Sequence, residues 1–425
     1  MADRRYPRHK RTTEQGAHMS RLLFLAGGDV HGYTDLHNRA ILDGLPGEVM
    51  VLTNAATARY FEGLPVQLEV VRWYDVAAVQ ARVLALHAER PFTALATIDE
   101  RMMELAARLR DVLDLPGLRA ADVPRFRDKP TMKRVLGAAG VRVPEFAHSE
   151  DRSAVEALFA RHERVVIKPV DGMGSFGVVF ADSMQDVTTW YGEHDGESAR
   201  YEVEEFITGP MYHVNAVVRA GKPIFTSAAP YLPGMEPVDF GVGAPLASVL
   251  LDDAPLQRML VAFSDRVIEV LGLVDGITHL ECFVTPDDEV VFCEIAARPA
   301  AGGIVRMIEA QAGINYARAA VLLAMGLGEQ IHIGAPVTGQ TVGMLGFRVP
   351  EATLIQHIAS PAEFGDDWIR YMRIDGEAGE MVAGAAHCTD FVGLFVFAAD
   401  DRVEFESRLS DLRSRFEKKL ELAPV

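Results

Sequence analysis

Residues 171–177 read DGMGSFG, which places Gly172, Gly174 and Gly177 in a G-x-G-x-x-G arrangement. Several nucleotide-binding folds use such a loop, and its flanks tell them apart. A dinucleotide-binding turn runs from a strand into a helix whose N-terminus receives a pyrophosphate. Here the strand-like RVVIKPV (164–170) precedes the loop, but VVFAD (178–182) follows it, a run of β-formers with no helix start. A protein-kinase glycine loop has its lysine on the following strand and an HRD catalytic loop downstream. In this chain Lys168 precedes the loop, HRD does not occur, and the DFG at 239–241 reads as an ordinary loop. The stretch is therefore expected to join two antiparallel strands, its glycines allowing positive φ and close backbone approach to phosphate. Lys168 sits among Val166, Ile167 and Val170. An unpaired ammonium there would be costly, and a phosphate partner is the simpler account.

The chain has 425 residues, room for two or three domains, with 49% apolar and 24% charged residues, a globular balance. A formal net charge of −18 excludes nucleic acid as a general partner, so an anionic nucleotide must be held by local Lys, Arg or metal. No apolar run approaches the roughly 18 residues of a membrane span. The three cysteines, Cys282, Cys293 and Cys388, lack CxxC spacing, which favours a reducing compartment, the cytoplasm, over a disulfide framework. The basic, polar segment 1–18 before Met19 is expected to be a disordered leader or tag.

From 19 to 125, the strand-like RLLFLAGG (21–28), EVMVLT (48–53), VQLEVVRW (66–73) and FTALATID (92–99) alternate with helical patterns near 34–43, 76–89 and 100–115. That alternation predicts a small α/β domain with a mostly parallel sheet. Helices are expected over 130–139, 152–162 and 253–272, with strands dominating between 164 and 230. The last region mixes VGMLGFRV (342–349) and VGLFVFAA (392–399) with a polar C-terminal helix.

A second constellation is GITHLECFVTPDDEVVFCEIAARPAAGG at 276–303. Two β-rich runs joined by Pro286, Asp287 and Asp288 predict a hairpin. A turn centred on Asp287 and Asp288 sets Glu281 directly across from Glu294, with His279 on the Glu281 face and Arg298 on the Glu294 face. Opposed like charges are destabilising, so the pair needs a cation or a shared proton. Mg²⁺ bridging phosphates is the natural cation; an exposed acidic pair neutralised by Lys or Arg is the alternative.

Strand lysine, glycine hairpin and VEEFITG (203–209), with IDE (98–100), LPGLRA (115–120) and RDKPTMKRVLGAAGVRVPEF (127–146), resemble the ATP-grasp superfamily over about 95–303. The resemblance implies an ATP-grasp fold of α/β and α+β parts. It divides the chain into a Rossmann-like domain (19–125), a small lid subdomain (126–208), a central subdomain with the metal site (209–334) and a C-terminal α+β subdomain (335–425). It implies that Lys129 and Lys168 reach the phosphates of ATP under a lid of Gly172, Gly174, Ser175 and Gly177. Glu204, Glu205, Phe206 and Ile207 would form the hinge at the adenine edge, and Glu281 and Glu294 would hold Mg²⁺ (or Mn²⁺).

Two positions depart from the superfamily's pattern: Ala296 replaces the usual asparagine ligand, and Met211 stands where a glutamate often holds ribose. The THLE…CEIAAR stretch is similar to the L-amino-acid ligase branch of the bacilysin synthetase type. That branch implies that Arg298 contacts the transferred phosphate and the intermediate. His279 is then a candidate base for the amine, Gly302 and Gly303 leave space beside the reactive centre, and Arg306 is a candidate holder of a substrate carboxylate. The implied activity is ATP-dependent coupling of a carboxylate, an amino acid, to an amine through an acylphosphate. Its partners would be small molecules, with room for a homodimer. A non-catalytic Mg·ATP-binding module, or a ligase or carboxylase acting on another substrate, is the alternative.

Overall fold

Five buried apolar residues in a row, LLFLA at 22–26, form the middle of a parallel sheet, because such a sheet is covered on both faces. The computed structural model describes residues 20–28, 30–194, 196–197, 200–251, 254–335 and 339–424, so the leader expected over 1–18 lies outside the described residues. Strands β1 (Arg21–Ala26), β2 (Glu48–Thr53), β3 (Gln67–Val70) and β4 (Ala94–Thr97) lie in the order β3-β2-β1-β4, all parallel. Helices α1 (Val76–Glu89) and α2 (Met103–Leu113) cover one face. The helix expected near 34–43 is not formed. Asp35 Oδ1 instead accepts from the backbone of His37 and Arg39, each at 2.8 Å, and Thr34 bridges Ala40. A short acidic side chain that captures nearby amides competes with a helix in this way.

Helix α3 (Lys129–Ala138) leads into the lid sheet, which contains β5 (Phe146–His148), β6 (Val165–Pro169), β7 (Val179–Ala181) and β8 (Tyr201–Glu205) in the order β5-β8-β6-β7. Helices α4 (Arg152–His162) and α5 (Met184–Glu193) back it. Strands β6 and β7 pair antiparallel through the glycine loop, as the flanking residues predicted. Helix α3 packs elsewhere: Met132 and Leu136 join the central core with Leu280 and Phe292. Its Lys133, fully buried, ion-pairs with Glu202 (2.6 Å) and Glu204 of β8. This helix thus ties the lid to the central sheet.

The central sheet has the order β10-β9-β12-β13, built from β9 (Met211–Arg219), β10 (Lys222–Pro230), β12 (Gly276–Val284) and β13 (Val290–Ala296). Helix α6 (Ala254–Leu271) covers one face, and α7 (Ile304–Ala312) and α8 (Tyr316–Ala324) the other. β11 (Leu246–Val249) lies outside this sheet and pairs with β14 (Thr341–Phe347), so the C-terminal sheet includes a strand from N-terminal to the expected boundary at 335. That sheet runs β11-β14-β18-β16, with β16 (Ile369–Ile374) and β18 (Gly393–Ala399), backed by α9 (Arg402–Glu417). A small sheet of β15 (Thr353–His357), β17 (Met381–Val382) and β19 (Glu421–Pro424) completes the fold.

The N-terminal sheet is closed on its second face by α8, through Ala317 and Val321. Helix α7 seals the same seam. Arg306 donates to Thr34 Oγ1 (2.9 Å) and to the Asp35 carbonyl, and Glu309 accepts from Leu36 N (3.0 Å).

Two predictions follow from these buried charges. Lys133→Met leaves two buried carboxylates short of a cation, with Glu202 Oε2 already lacking a hydrogen bond. Unfolding in urea should show a loss of about 3–5 kcal/mol, against near-neutrality if the pair were solvated. Burial, with the Asp35 carboxylate beside it, pushes the Glu309 carboxyl from 4.5 up to about 7. Between those values the native state keeps a proton that the unfolded chain releases, so stability falls as pH rises through that window. Glu309→Gln should flatten the decline of Tm between pH 5 and 8, and an unchanged slope refutes the assignment.

Candidate functional site

The β12–β13 hairpin places Glu281 directly across from Glu294, as its sequence predicts, though by a different route. The turn is one residue longer than expected: Thr285 N donates to Glu289 O (2.9 Å), and Asp288 takes a φ of 60°. Beyond it, Cys282 pairs with Phe292 and Cys293 is the extra residue of a bulge. The bulge restores the register lost at the turn. Tyr231 Oη donates to Glu281 Oε1 at 2.6 Å, and His279 Nε2 lies 3.6 Å from the same oxygen. Burial alone would raise the Glu281 carboxyl, but His279 and the Tyr231 hydroxyl outweigh it and hold it down at about 2. Burial and that carboxylate keep the Tyr231 hydroxyl well above its ordinary value, hence protonated.

A buried relay fixes His279. Burial and the neighbouring His279 push His213 down to about 3, so it is neutral. Asn215 Nδ2 donates to His213 Nδ1 (2.9 Å), whose Nε2 then donates to Ser248 Oγ (2.9 Å), which donates to Pro230 O (2.8 Å). The same asparagine turns its oxygen to His279 Nδ1 (2.9 Å), which therefore donates. His279 presents Nε2 to Glu281.

Opposite the acids stand two lysines. Lys129 opens α3 behind its cap Asp128; its Nζ donates to Gly172 O (2.7 Å) and lies 3.0 Å from Glu294 Oε2. Lys168 Nζ, buried on β6, lies 2.6 Å from Glu204 Oε1. Burial alone would lower this ammonium, but Cys293 and then the carboxylates of Glu204, Glu202 and Glu294 outweigh it and hold it well above the ordinary lysine value. The Cys293 thiol is itself pushed up to about 12 by burial, so at neutral pH the carboxylates supply that field.

These groups line a cleft of about 290 Å³. One end is apolar, with Val166, Phe180, Phe206, Ile207 and Met211; the other is charged, with Lys129, Lys168, Glu281, Glu294 and Arg298. Gly172, Gly174 and Ser175 line it too, the latter two at φ of 62° and 61°, where glycine is favoured. Among the described residues no three His, Cys, Asp or Glu side chains converge as a closed metal cage. Two facing carboxylates on neighbouring strands do fit Mg²⁺, which takes one or two carboxylates and completes its shell with water and phosphate oxygens.

Arg298 reaches the cleft, where Glu100 is its carboxylate partner. Its Nε donates to Glu100 Oε2 (2.8 Å), and Arg127 grips the same carboxylate. Burial alone would raise Glu100; the two guanidiniums, Arg298 foremost, hold it down at about 2. A second cavity of about 650 Å³ lies beyond, lined by Asp99, Arg373, Asp375 and Asp390 among others. Met173, Arg298, Ala301, His387 and Thr389 line both spaces and mark their junction.

Several expected site residues are engaged otherwise or lie off the cleft, although Glu204 and Glu205 still line it. Glu204 lies on the hinge strand, but its carboxylate is taken by Lys133 and Lys168 rather than turned to a nucleotide edge. Glu205 pairs with Arg142 (2.7 Å) at the rim. Gly177 sits under Pro169, 3.0 Å from where its Cβ would be, and serves the turn. Gly302 and Gly303 pack against the C-terminal sheet, where a Cβ would meet Phe391 at 3.1 Å and Leu394 at 2.9 Å; Ala301 faces the cleft instead. Arg306 is buried at the domain seam, its guanidinium 4.1 Å from the Tyr371 ring centroid, and does not line the cleft. Sequence reasoning missed Glu100, Tyr231 and His387, whose neighbours are distant in the chain; IDE at 98–100 was the one local signal.

Comparison with known proteins agrees with this geometry. Residues 126–302 match the family described as ATP-grasp domain. The L-arginine-specific L-amino acid ligase of Bacillus subtilis is 24% identical over 255 residues, 57% of this chain and 60% of that protein, so the match spans less than two thirds of the relative. The crystal structure of an L-amino acid ligase from Bacillus licheniformis superposes with a TM-score of 0.75 at 19% identity, covering 96% of this chain and 99% of that one. The biotin carboxylase domain of a 2-oxoglutarate carboxylase from Hydrogenobacter thermophilus, solved with MgADP and bicarbonate, gives 0.70 at 14% identity, covering 95% and 91%. Residues 126–302 are an ATP-grasp domain, set within a chain that has the ATP-grasp fold over nearly its whole length.

Proposed function

We propose that this protein is an ATP-dependent carbon–nitrogen ligase that activates a carboxylate as an acylphosphate and couples it to an amine, both substrates being amino acids. The observation that carries the reading is the opposed pair Glu281 and Glu294 beside Arg298, where two cavities meet. The apolar end of the cleft takes the adenine ring against Phe180 and Phe206, and the backbone of 205–208 offers its edge polar groups. Lys129, Lys168 and the glycine lid hold the phosphates. Mg²⁺ held by Glu281 and Glu294 would neutralise phosphate charge. Met211 lines the cleft, so ribose is held by other groups.

A substrate carboxylate in the second cavity attacks the γ-phosphorus, ADP leaves, and the amine then attacks the acyl carbon and expels phosphate. Such chemistry asks the protein for positioning and charge neutralisation. Arg298, a permanent cation fixed by Glu100, orients the phosphoryl and carbonyl oxygens. His279, held through Nδ1 by Asn215, is the candidate base for the amine at its Nε2. The lid keeps water from the acylphosphate. Amino acids as substrates are favoured by the names of the two ligase relatives. The carboxylase neighbour supports a second reading, activation of bicarbonate.

Screening amino-acid pairs for phosphate release, with mass spectrometry for the amide, tests the reading; bicarbonate-dependent release without amide would favour the second. Glu294→Ala and Arg298→Ala should each lower kcat by about 10²–10³-fold, the scale of losing one electrostatic stabiliser. Full activity in either variant would remove that residue from the site.

A further inference from the structure

The junction of the two cavities contains a group that the reaction above does not use. Residues 386–390 form a tight turn of the C-terminal domain: Asp390 Oδ2 accepts from the backbone of Ala386 (2.9 Å) and His387 (2.8 Å), and Asp390 N donates to His387 O (3.0 Å). The neighbouring Cys388 is buried, and its carbonyl accepts from buried Arg348 (3.2 Å). This turn is therefore built into the domain. Within it, Thr389 N donates to His387 Nδ1 (3.3 Å). A neutral imidazole accepting there carries its proton on Nε2.

The face of that ring meets the lid. A Cβ placed on Gly174 would clash with His387 Nε2 and with its ring neighbours Cδ2 and Cε1, against the ring face, and Cys388 N donates to Gly174 O at 3.3 Å. Gly174 also needs a φ of 62°. The lid thus meets the C-terminal domain at a residue whose missing side chain makes room for the imidazole. His387 and Thr389 line the second cavity as well.

We propose that His387 is a positioning residue of the ligation centre, the seat on which the lid closes at Gly174, so that the C-terminal wall of the substrate cavity sets the lid's place over the nucleotide. The proposal rests on the ligase reading for its catalytic consequence. An unseated lid admits water, whose oxygen attacks the acylphosphate in place of the amine, returning the free carboxylate and phosphate. ATP is then consumed without amide.

The test compares wild type, His387→Ala and His387→Gln by hydrogen–deuterium exchange and by the ratio of ADP to amide. In His387→Ala, amides of 171–178 should exchange about tenfold faster with those of 21–26 unchanged, since only local opening is altered. The ADP-to-amide ratio should rise above equivalence, with partial recovery in His387→Gln, which keeps a planar group to lie against Gly174. Unchanged exchange at 171–178, or an unchanged ratio, overturns the seat. Gly174→Ala should also loosen the lid, and adding His387→Gly should recover part of that loss; strictly additive effects overturn the proposal. Exchange needs no turnover. A faster lid in His387→Ala with no amide from any wild-type pair would uphold the seat and reject the ligase reading.

Discussion

The site depends on a row of buried charges of alternating sign. Glu202, Lys133, Glu204 and Lys168 follow one another across the lid sheet, and Lys129 faces Glu294 on the other side of the cleft. Each would be expensive alone, and paired they roughly offset their own desolvation. Their contribution is placement rather than net stability. Lys133 lies on a helix whose apolar face belongs to the central core, yet its ammonium is fixed to β8 of the lid. The rear of the lid subdomain is anchored by that contact, while Phe176 at the loop tip is 61% exposed.

The same rule brings the N-terminal domain into the site. Glu100 begins the short turn after β4, and two guanidiniums from different parts of the chain converge on it. Arg298 could not be held at the cleft's end by β13 alone, because it lies beyond the last ladder pair of that strand. The domain that carries Glu100 is in turn fixed by α8, whose Ala317 and Val321 close the parallel sheet, and by α7, whose Arg306 binds the Asp35 carbonyl and Thr34 Oγ1. Four separate parts of the chain each supply one wall.

What could be read from the sequence was what local pattern controls. The glycine loop was legible because strand-formers on both sides leave a hairpin as the simplest connection. The opposition of Glu281 and Glu294 was legible because strands have a period of two residues, although the turn was misjudged by one residue and the Cys293 bulge cancelled the error. Arg306, Gly302 and Gly303 follow Arg298 closely in sequence, but the chain turns into α7 there and presents them to the C-terminal sheet and the N-terminal seam. The role of Asp35 in suppressing a helix depends on the particular amides it captures, which composition does not show. Lys133, Glu100 and His387 act on partners 69, 198 and 213 positions away, the last being Gly174, and no spacing rule reaches that far.

The acidic pair is where local and distant constraints meet. Two carboxylates in register repel, and the protein answers on each side with a different kind of group. Glu294 has an ammonium at 3.0 Å, on a lysine that also binds the lid carbonyl of Gly172. Glu281 has a phenol and an imidazole, neither of which is a permanent cation. Lys129 can therefore turn toward an anion only as Glu294 finds another positive partner, so metal and phosphate would enter this cleft together rather than independently. On the Glu281 side the Asn215 relay accepts from His279 Nδ1 and so turns Nε2 toward the Glu281 carboxylate. The asymmetry is therefore one of charge: Glu294 faces a full ammonium, and Glu281 is held by groups that carry no permanent charge.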